Sequence, residues 1–280
     1  MSHYICIVSQ TYIRDVDMNN IYRSNKVKVR SVFISDVHLG FPGCSAKYLL
    51  DFLRHVECEK IYLVGDIIDF LYLRKKMHWP QEHNDVIRTI LGKAKHGTQV
   101  IYVPGNHDEL IRLHNNTVLG NVLIKDEIIH TTADGKRFLV LHGDQFDSVV
   151  KHSPLLALLG CKLYDGLLRA NRIVSYFRYQ LGLPYWSLAA ALKHKVKGAV
   201  NYISNFETAV SQMAKQRKVD GMICGHIHRA EIRKIDNALY CNCGDWVESC
   251  TALIENHDGS LEILHWTEQF ESIKRLAAAA

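Results

Sequence analysis

No stretch of the chain approaches the roughly 18 uninterrupted apolar residues of a membrane-spanning helix, so a transmembrane reading is excluded at the outset. The opening MSHYICIVSQTYIRDVD lacks both a basic n-region and a long apolar core, which argues against a secretory signal peptide. Disulfide spacing is absent too. The 8 cysteines are scattered, and in a chain of this size they read as reduced, mostly buried thiols of a cytoplasmic protein. Cys241 and Cys243 form a CxC without the second cysteine pair that a thiolate zinc site needs, so both are expected to be packing residues. Internal repeats and low-complexity segments are also missing.

What is present is ordinary for a folded enzyme-sized chain: 280 residues, 48% hydrophobic and 22% charged, enough to bury a proper core. The formal charge of +5 is modest but uneven. Between Lys151 and Phe206 the basic residues Lys151, Lys162, Arg169, Arg172, Arg178, Lys193, Lys195 and Lys197 are opposed only by Asp165. That imbalance points to an anionic partner, whether a phosphate substrate, nucleic acid or an acidic membrane surface; a solvated basic helical face is the plainer alternative.

Periodicity divides the chain. Residues 1–27 carry no clear pattern and are read as an N-terminal extension. VRSVFIS, KIYLVGD and TQVIYVPGNHD read as buried strands, alternating with helices at Ala46–Val56 and Glu82–His96, the pattern of an α/β sheet. Further on, RFLVLHGD, DGMICGH, AEIRKID, ALYCN, CTALIEN and SLEILHW read as short strands of a second, mostly antiparallel sheet. The residues between, 149–217, read as helical and rich in leucine, tyrosine and basic residues. The expected organisation is a core of 28–148 and 218–268, a cap insertion of 149–217, and a tail of 269–280 whose terminal LAAAA reads as added sequence.

Five polar motifs follow predicted strands: Asp36-Val37-His38, Gly65-Asp66 with Asp69 nearby, Gly105-Asn106-His107-Asp108, His142-Gly143-Asp144, and Gly225-His226-Ile227-His228. A strand ending in DxH sends both side chains to one side, where they can share a cation. The glycines permit tight turns and close backbone approach. Carboxylate, imidazole and amide oxygen together suit Mn²⁺, with Fe²⁺ or Zn²⁺ as alternatives. Any one motif alone is more simply a turn or a core histidine; five in order are not.

These motifs, in this order from Val29 to Trp266, resemble the calcineurin-like metallophosphoesterase superfamily. The resemblance implies a two-sheet α/β/β/α sandwich with a helical cap insertion and a dinuclear metal centre at the sheet ends. It implies that Asp36, His38 and His228 hold one cation, that Asn106, His142 and His226 hold the other, and that Asp66 bridges them. His107 would sit beside the phosphate to stabilise charge or protonate the leaving group. Two such cations clamp phosphate oxygens and activate water for in-line attack.

Within the superfamily, GDIIDF, GNHDE, Asn171-Arg172, LGLPYWSL (Leu181–Leu188) and GDWVESCTAL (Gly244–Leu253) resemble the UDP-2,3-diacylglucosamine hydrolase-like subgroup. Its characterised members cleave the pyrophosphate of UDP-2,3-diacylglucosamine at the inner face of the bacterial inner membrane, giving UMP and 2,3-diacylglucosamine 1-phosphate in lipid A synthesis. The resemblance therefore implies a nucleotide-linked lipid substrate and a cytoplasmic, peripheral membrane location. The cap leucines, among them Leu155, Leu159, Leu163 and Leu167, would line an acyl cleft, and Arg172, Tyr185, Trp186, Lys193 and Lys197 are the candidate substrate-binding residues. Packing of the cap onto the core is the plainer role for those leucines. One position departs from the subgroup: its characterised members carry arginine where this chain has His107. Arginine is a permanent bidentate clamp, whereas histidine can donate a proton. The rival readings are a nuclease, a dinucleotide hydrolase or a protein phosphatase on the same metal core, and a metal-free protein-binding scaffold. The leucine content of the insert argues against an open nucleic-acid groove.

Overall fold

In the computed structural model, residues 27–147 and 197–267 are described, with the single positions 174, 178 and 181 between them. Among the described residues twelve strands form two sheets. The first contains β1 (Val27–Ile34), β2 (Val56–Val64), β3 (Gln99–Val103), β4 (Val118–Leu119), β5 (Val122–Ile124), β11 (Thr251–Glu255) and β12 (Leu261–His265), in the order β12-β11-β1-β2-β3-β5-β4. The second contains β6 (Ile128–Thr131), β7 (Arg137–Val140), β8 (Gly221–Cys224), β9 (Glu231–Ile235) and β10 (Ala238–Asn242), in the order β6-β7-β8-β10-β9. Helices α1 (Ala46–His55), α2 (Phe70–Leu73), α3 (Gln81–Lys95) and α4 (Lys197–Arg217) complete the described elements, with 3-10 turns at Glu109–His114 and Asp144–Phe146.

The two-residue period of a strand explains the layering. On β1, β2 and β3 one face carries Val32, Ile34, Ile61, Leu63, Val100 and Tyr102, which pack with Leu49, Phe52 and Leu53 of α1 and with Val86 and Ile90 of α3. The other face carries Phe33, Tyr62, Val64, Ile101 and Val103, which meet Phe138, Val140, Ile223, Cys241 and Cys243 of the second sheet. Beyond that sheet, Leu139, Met222, Cys224 and Tyr240 receive Phe206, Val210 and Ala214 of α4. The result is the expected α/β/β/α sandwich. Strands sandwiched on both faces need apolar residues at every position, which is why VFI and YLV run unbroken.

Sheet membership differs from the sequence expectation. β11 and β12 join the first sheet, β11 running antiparallel to β1 with Ser31 opposite Glu255. The second sheet is mixed, because β7 and β8 are parallel, as are β8 and β10. Alternation identifies a strand but carries no information about its neighbour. Helix α4 falls inside the segment expected to form the cap, yet its Phe206 and Val210 are core residues. The rest of that segment lies outside the described residues. The described cysteines are free, and Cys224, Cys241, Cys243 and Cys250 are buried. No helix among the described residues is long and apolar enough to cross a membrane.

Candidate metal centre

β1, β2 and β3 are parallel, as are β7 and β8, so the loops leaving their C-terminal ends emerge at common edges. Backbone hydrogen bonds then knit those loops together. Asp36 N donates to Gly65 O (3.1 Å), His38 N to Asp66 O (2.9 Å), and Gly225 N to His142 O (3.0 Å). Five polar residues here adopt left-handed backbone: Asp36 (φ 52°), His38 (55°), Asp66 (53°), His226 (68°) and His228 (51°). Such a conformation costs on the order of 1 kcal/mol or more at a non-glycine residue, and its clustering marks a functional locus. Gly65 is required for two reasons: its φ is +76°, and a Cβ there would collide with the His142 ring. At Gly105 a Cβ would meet Asp66 Oδ1 and the same imidazole, so the loops touch with no room for a side chain.

Each carboxylate divides its labour. Asp66 Oδ1 accepts from His107 N (2.8 Å). Its Oδ2 lies 3.3 Å from His142 Nε2 and 3.9 Å from His38 Nε2. Asp36 Oδ2 accepts from His226 N (2.9 Å), while Oδ1 lies 3.1 Å from His228 Nε2. The backbone thus holds one oxygen of each and turns the other toward imidazoles. Three groups with atoms close enough to share a cation result: Asp36, His38 and His228; Asp66, His142 and His226; and His38, Asp66 and His107. Asp66 belongs to two of them, between His38 and His142.

The imidazoles are oriented from behind. His142 Nδ1 donates to Val64 O (2.9 Å), His38 Nδ1 to Asp69 Oδ2 (3.2 Å), and His226 Nε2 to Asp147 Oδ1 (2.8 Å). These contacts leave Nε2 of His38 and His142 as candidate ligand atoms. Asp36 Oδ1, His38 Nε2, Asn106 Oδ1 and His142 Nε2 are buried and make no hydrogen bond. A buried polar atom without a hydrogen bond costs about 1–3 kcal/mol, so four in one place need an occupant that accepts their lone pairs. Oxygen and nitrogen donors of this kind fit divalent cations of the Mn²⁺, Fe²⁺ or Zn²⁺ type.

Electrostatics agree. Burial would raise the carboxyls and lower the imidazoles, but mutual attraction outweighs it. Asp36 is held at about 2 by His228 and His142, and Asp66 well below the carboxylate range by His142, His38 and His107. His38 is carried up to about 9 by Asp69, Asp66 and Asp36, and His142 to about 10 mainly by Asp66. Cations at this site would displace those protons.

Sequence reasoning assigns no role to three supporting residues. Asp69 accepts from both His38 Nδ1 and His107 Nδ1 (2.9 Å for the latter) and also caps α2 through Tyr72 N (2.8 Å). Its proximity to Asp66 in GDIIDF is the only signal the sequence offers. Asp108 collects Ile67 N (2.8 Å), Gly105 N (2.6 Å) and the Tyr102 hydroxyl, pinning the second and third loops together. Arg112 bridges both oxygens of Asp144 (2.8 Å each) and Pro104 O (3.0 Å), tying the third loop to the fourth. Of the candidate substrate-binding residues, Arg172, Tyr185, Trp186 and Lys193 lie outside the described residues, and Lys197 opens α4.

A sandwich with this cluster at its strand ends has the makings of a metal-dependent hydrolase. A family model described as calcineurin-like phosphoesterase matches residues 29–230, and the chain belongs to that metal-dependent family of hydrolytic enzymes. Among curated proteins it is similar to the UDP-2,3-diacylglucosamine hydrolase of Aeromonas hydrophila, at 27% identity over 244 residues, 80% of this chain and 93% of the relative. The hydrolase of the same name from Blochmanniella pennsylvanica is 26% identical over 220 residues, 73% and 81% of the two chains. That from Haemophilus influenzae is 24% identical over 239 residues, 80% and 94%.

Proposed function

We propose that this phosphoesterase hydrolyses the pyrophosphate of a nucleotide-linked lipid of the UDP-2,3-diacylglucosamine type, using two divalent cations, Mn²⁺ foremost. The observation that carries the two-cation reading is the position of Asp66, whose Oδ2 faces His38 on one side and His142 on the other. Asp36, His38, Asp66 and His228 would hold one cation, and Asp66, Asn106, His142 and His226 the second. When bound, such a pair supplies Lewis acidity toward phosphate oxygens and activates water at neutral pH.

The chain's own residues do the rest. Asp69 receives the Nδ1 proton of His107, which leaves Nε2 as the ring atom that can meet a phosphate oxygen or protonate the leaving group. His107 is only partly buried, so a substrate can reach it. Its backbone N–H simultaneously holds Asp66 Oδ1, so the proton donor and the shared carboxylate are set by one peptide unit. If His107 ligated a cation instead, as its grouping with His38 and Asp66 permits, replacing it would lower metal content.

The lipid assignment is supported by the activity for which the relatives are named and by their coverage of most of the chain. In this reading the part of 149–217 that precedes the core-packed residues of α4 caps the core, the leucines of the cap receive acyl chains, Arg172, Tyr185, Trp186, Lys193 and Lys197 meet the nucleotide and diphosphate, and the enzyme works at the inner membrane surface. His107 in place of arginine favours a second reading, hydrolysis of a different phosphodiester by the same centre.

The test is Mn²⁺-dependent hydrolysis of UDP-2,3-diacylglucosamine beside an unacylated UDP-sugar. Preferential release of UMP from the acylated compound supports the lipid and the acyl-binding cap. Cleavage of a generic aryl phosphodiester with neither UDP compound touched keeps the centre and discards the lipid.

A further inference from the structure

The segment 70–79, FLYLRKKMHW, leaves the centre directly from Asp69 and contains no acidic residue. Its two faces are chemically distinct. The inward face is filled by Tyr72, whose ring stands edge-on to Phe41 at 5.3 Å, and by Leu73, which closes over Gly40 so tightly that a Cβ there would come within 2.7 Å of Leu73 Cγ. Leu71 (39%), Met77 (78%) and Trp79 (37%) are the exposed apolar side chains of the segment, and Trp79 also stands edge-on to His83 at 5.6 Å. Between them stand Arg74, Lys75 and Lys76, all exposed. Among the described residues none of these three cations forms an ion pair, and Glu82, the next acidic residue along the chain, is taken by Lys47 at 3.4 Å.

Large, partly exposed apolar side chains beside cations that form no ion pair among the described residues match one kind of partner: a surface that is anionic at its face and apolar just beneath. We propose that Leu71, Met77 and Trp79, flanked by Arg74, Lys75 and Lys76, form a docking surface for an anionic lipid bilayer. Tryptophan and methionine would enter the headgroup boundary while the cations meet lipid phosphates. The placement gives docking a purpose. Phe70 N donates to His107 O (3.2 Å), Asp69 caps α2, and Gly40 N donates to His83 Nδ1 (2.9 Å) on α3. A membrane held against this segment therefore lies beside His107 and His38. The purpose rests on the lipid-linked substrate proposed above; the surface itself is tested without it.

The experiment is co-sedimentation of the full chain with vesicles of phosphatidylcholine alone and of phosphatidylcholine mixed with phosphatidylglycerol. Wild type should bind the anionic vesicles preferentially. The Arg74→Gln/Lys75→Gln/Lys76→Gln variant should bind them on the order of 100-fold more weakly. Met77→Ser/Trp79→Ser should weaken binding to both vesicle types. Each variant should keep wild-type hydrolysis of a water-soluble aryl phosphodiester, which establishes that it is folded. Brominated lipid should quench a fluorescence component that disappears in Trp79→Phe, a readout that leaves every charge in place. Wild type that fails to bind anionic vesicles overturns the proposal, as does equal binding by wild type and both variants. Concentration-dependent dimerisation, abolished by Met77→Ser/Trp79→Ser and unaccompanied by vesicle binding, would assign the face to a second copy instead. Vesicle binding without hydrolysis of the diacylated substrate leaves the surface standing and removes the lipid-substrate reading; the reverse result does the opposite.

Discussion

Two buried clusters of histidine and carboxylate lie along the same strands, and they differ in what they leave unbonded. On β11, opposite Ser31 of β1, Glu255 accepts from Arg30 and from Ala133 N (2.8 Å) on one oxygen, and from Ser31 Oγ (2.7 Å) and His130 Nε2 (3.0 Å) on the other. The other ring nitrogen of His130 lies 2.9 Å from the Tyr62 hydroxyl. Every polar atom there is matched, and the cluster bolts β6 of the second sheet to β1 and β11 of the first. At the strand ends the same residue types are arranged with Asp36 Oδ1, His38 Nε2, Asn106 Oδ1 and His142 Nε2 lacking any hydrogen bond. Burial and residue type do not separate a structural cluster from a metal centre. Buried polar atoms without hydrogen bonds, in groups close enough to share a cation, mark the second as the candidate metal centre.

The comparison can be broken most severely at Asp66. Asp66→Ala should abolish measurable hydrolysis, since it removes the carboxylate common to two ligand groups; turnover and bound metal, measured together, check it. Metal binding by chelator-treated protein should tighten as pH rises toward 9–10, because His38 (about 9) and His142 (about 10) must first release protons. Titrations across that range should show about a tenfold gain per pH unit for each proton displaced. A flat profile would contradict ligation by these imidazoles. His107→Ala should keep its metal but lose a factor of about 10²–10⁴ in kcat.

The structural cluster should answer in the opposite currency. Glu255→Gln should cost about 3 kcal/mol in urea unfolding and leave kcat nearly unchanged at neutral pH. Burial would raise the Glu255 carboxyl, but His130, Ser31, Ala133 N and Arg30 together hold it at about 2, below its usual 4.5. A depressed carboxylate stabilises the fold above its unfolded value and loses that contribution as pH falls through the folded one. Wild type should therefore shed this stability between about pH 4.5 and 2, and the variant should show no such step. The smallest effect is expected where support meets function. Asp69→Asn should lower kcat by about 10–100-fold and shift the pH profile of the leaving-group proton, with the fold intact by circular dichroism.

How much of this could be read in advance depends on sequence distance. DVH, GNHD and GHIH each keep their residues within four positions, so the candidate ligands and their grouping by loop are legible. Asp69 and His107 are 38 residues apart, and His130 and Glu255 are 125 apart; neither contact leaves a local pattern. The short strands β4, β5 and β6 escape because two to four residues cannot establish a period. The pairing of β11 with β1 escapes for a different reason: CTALIEN is apolar on both faces, as a central strand must be, and so fits either sheet.

By itself the sequence determined the longer elements, the two-sheet class and the inventory of metal-seeking side chains, because strand period, turn glycines and ligand chemistry are local properties. Only the tertiary structure decided that Asp66 faces two neighbours, that five polar residues take left-handed backbone, and that Asp69 serves a candidate ligand and a candidate proton donor at once. Those facts depend on the convergence of parallel strand ends from two packed sheets, and convergence is a property of packing that no single segment contains.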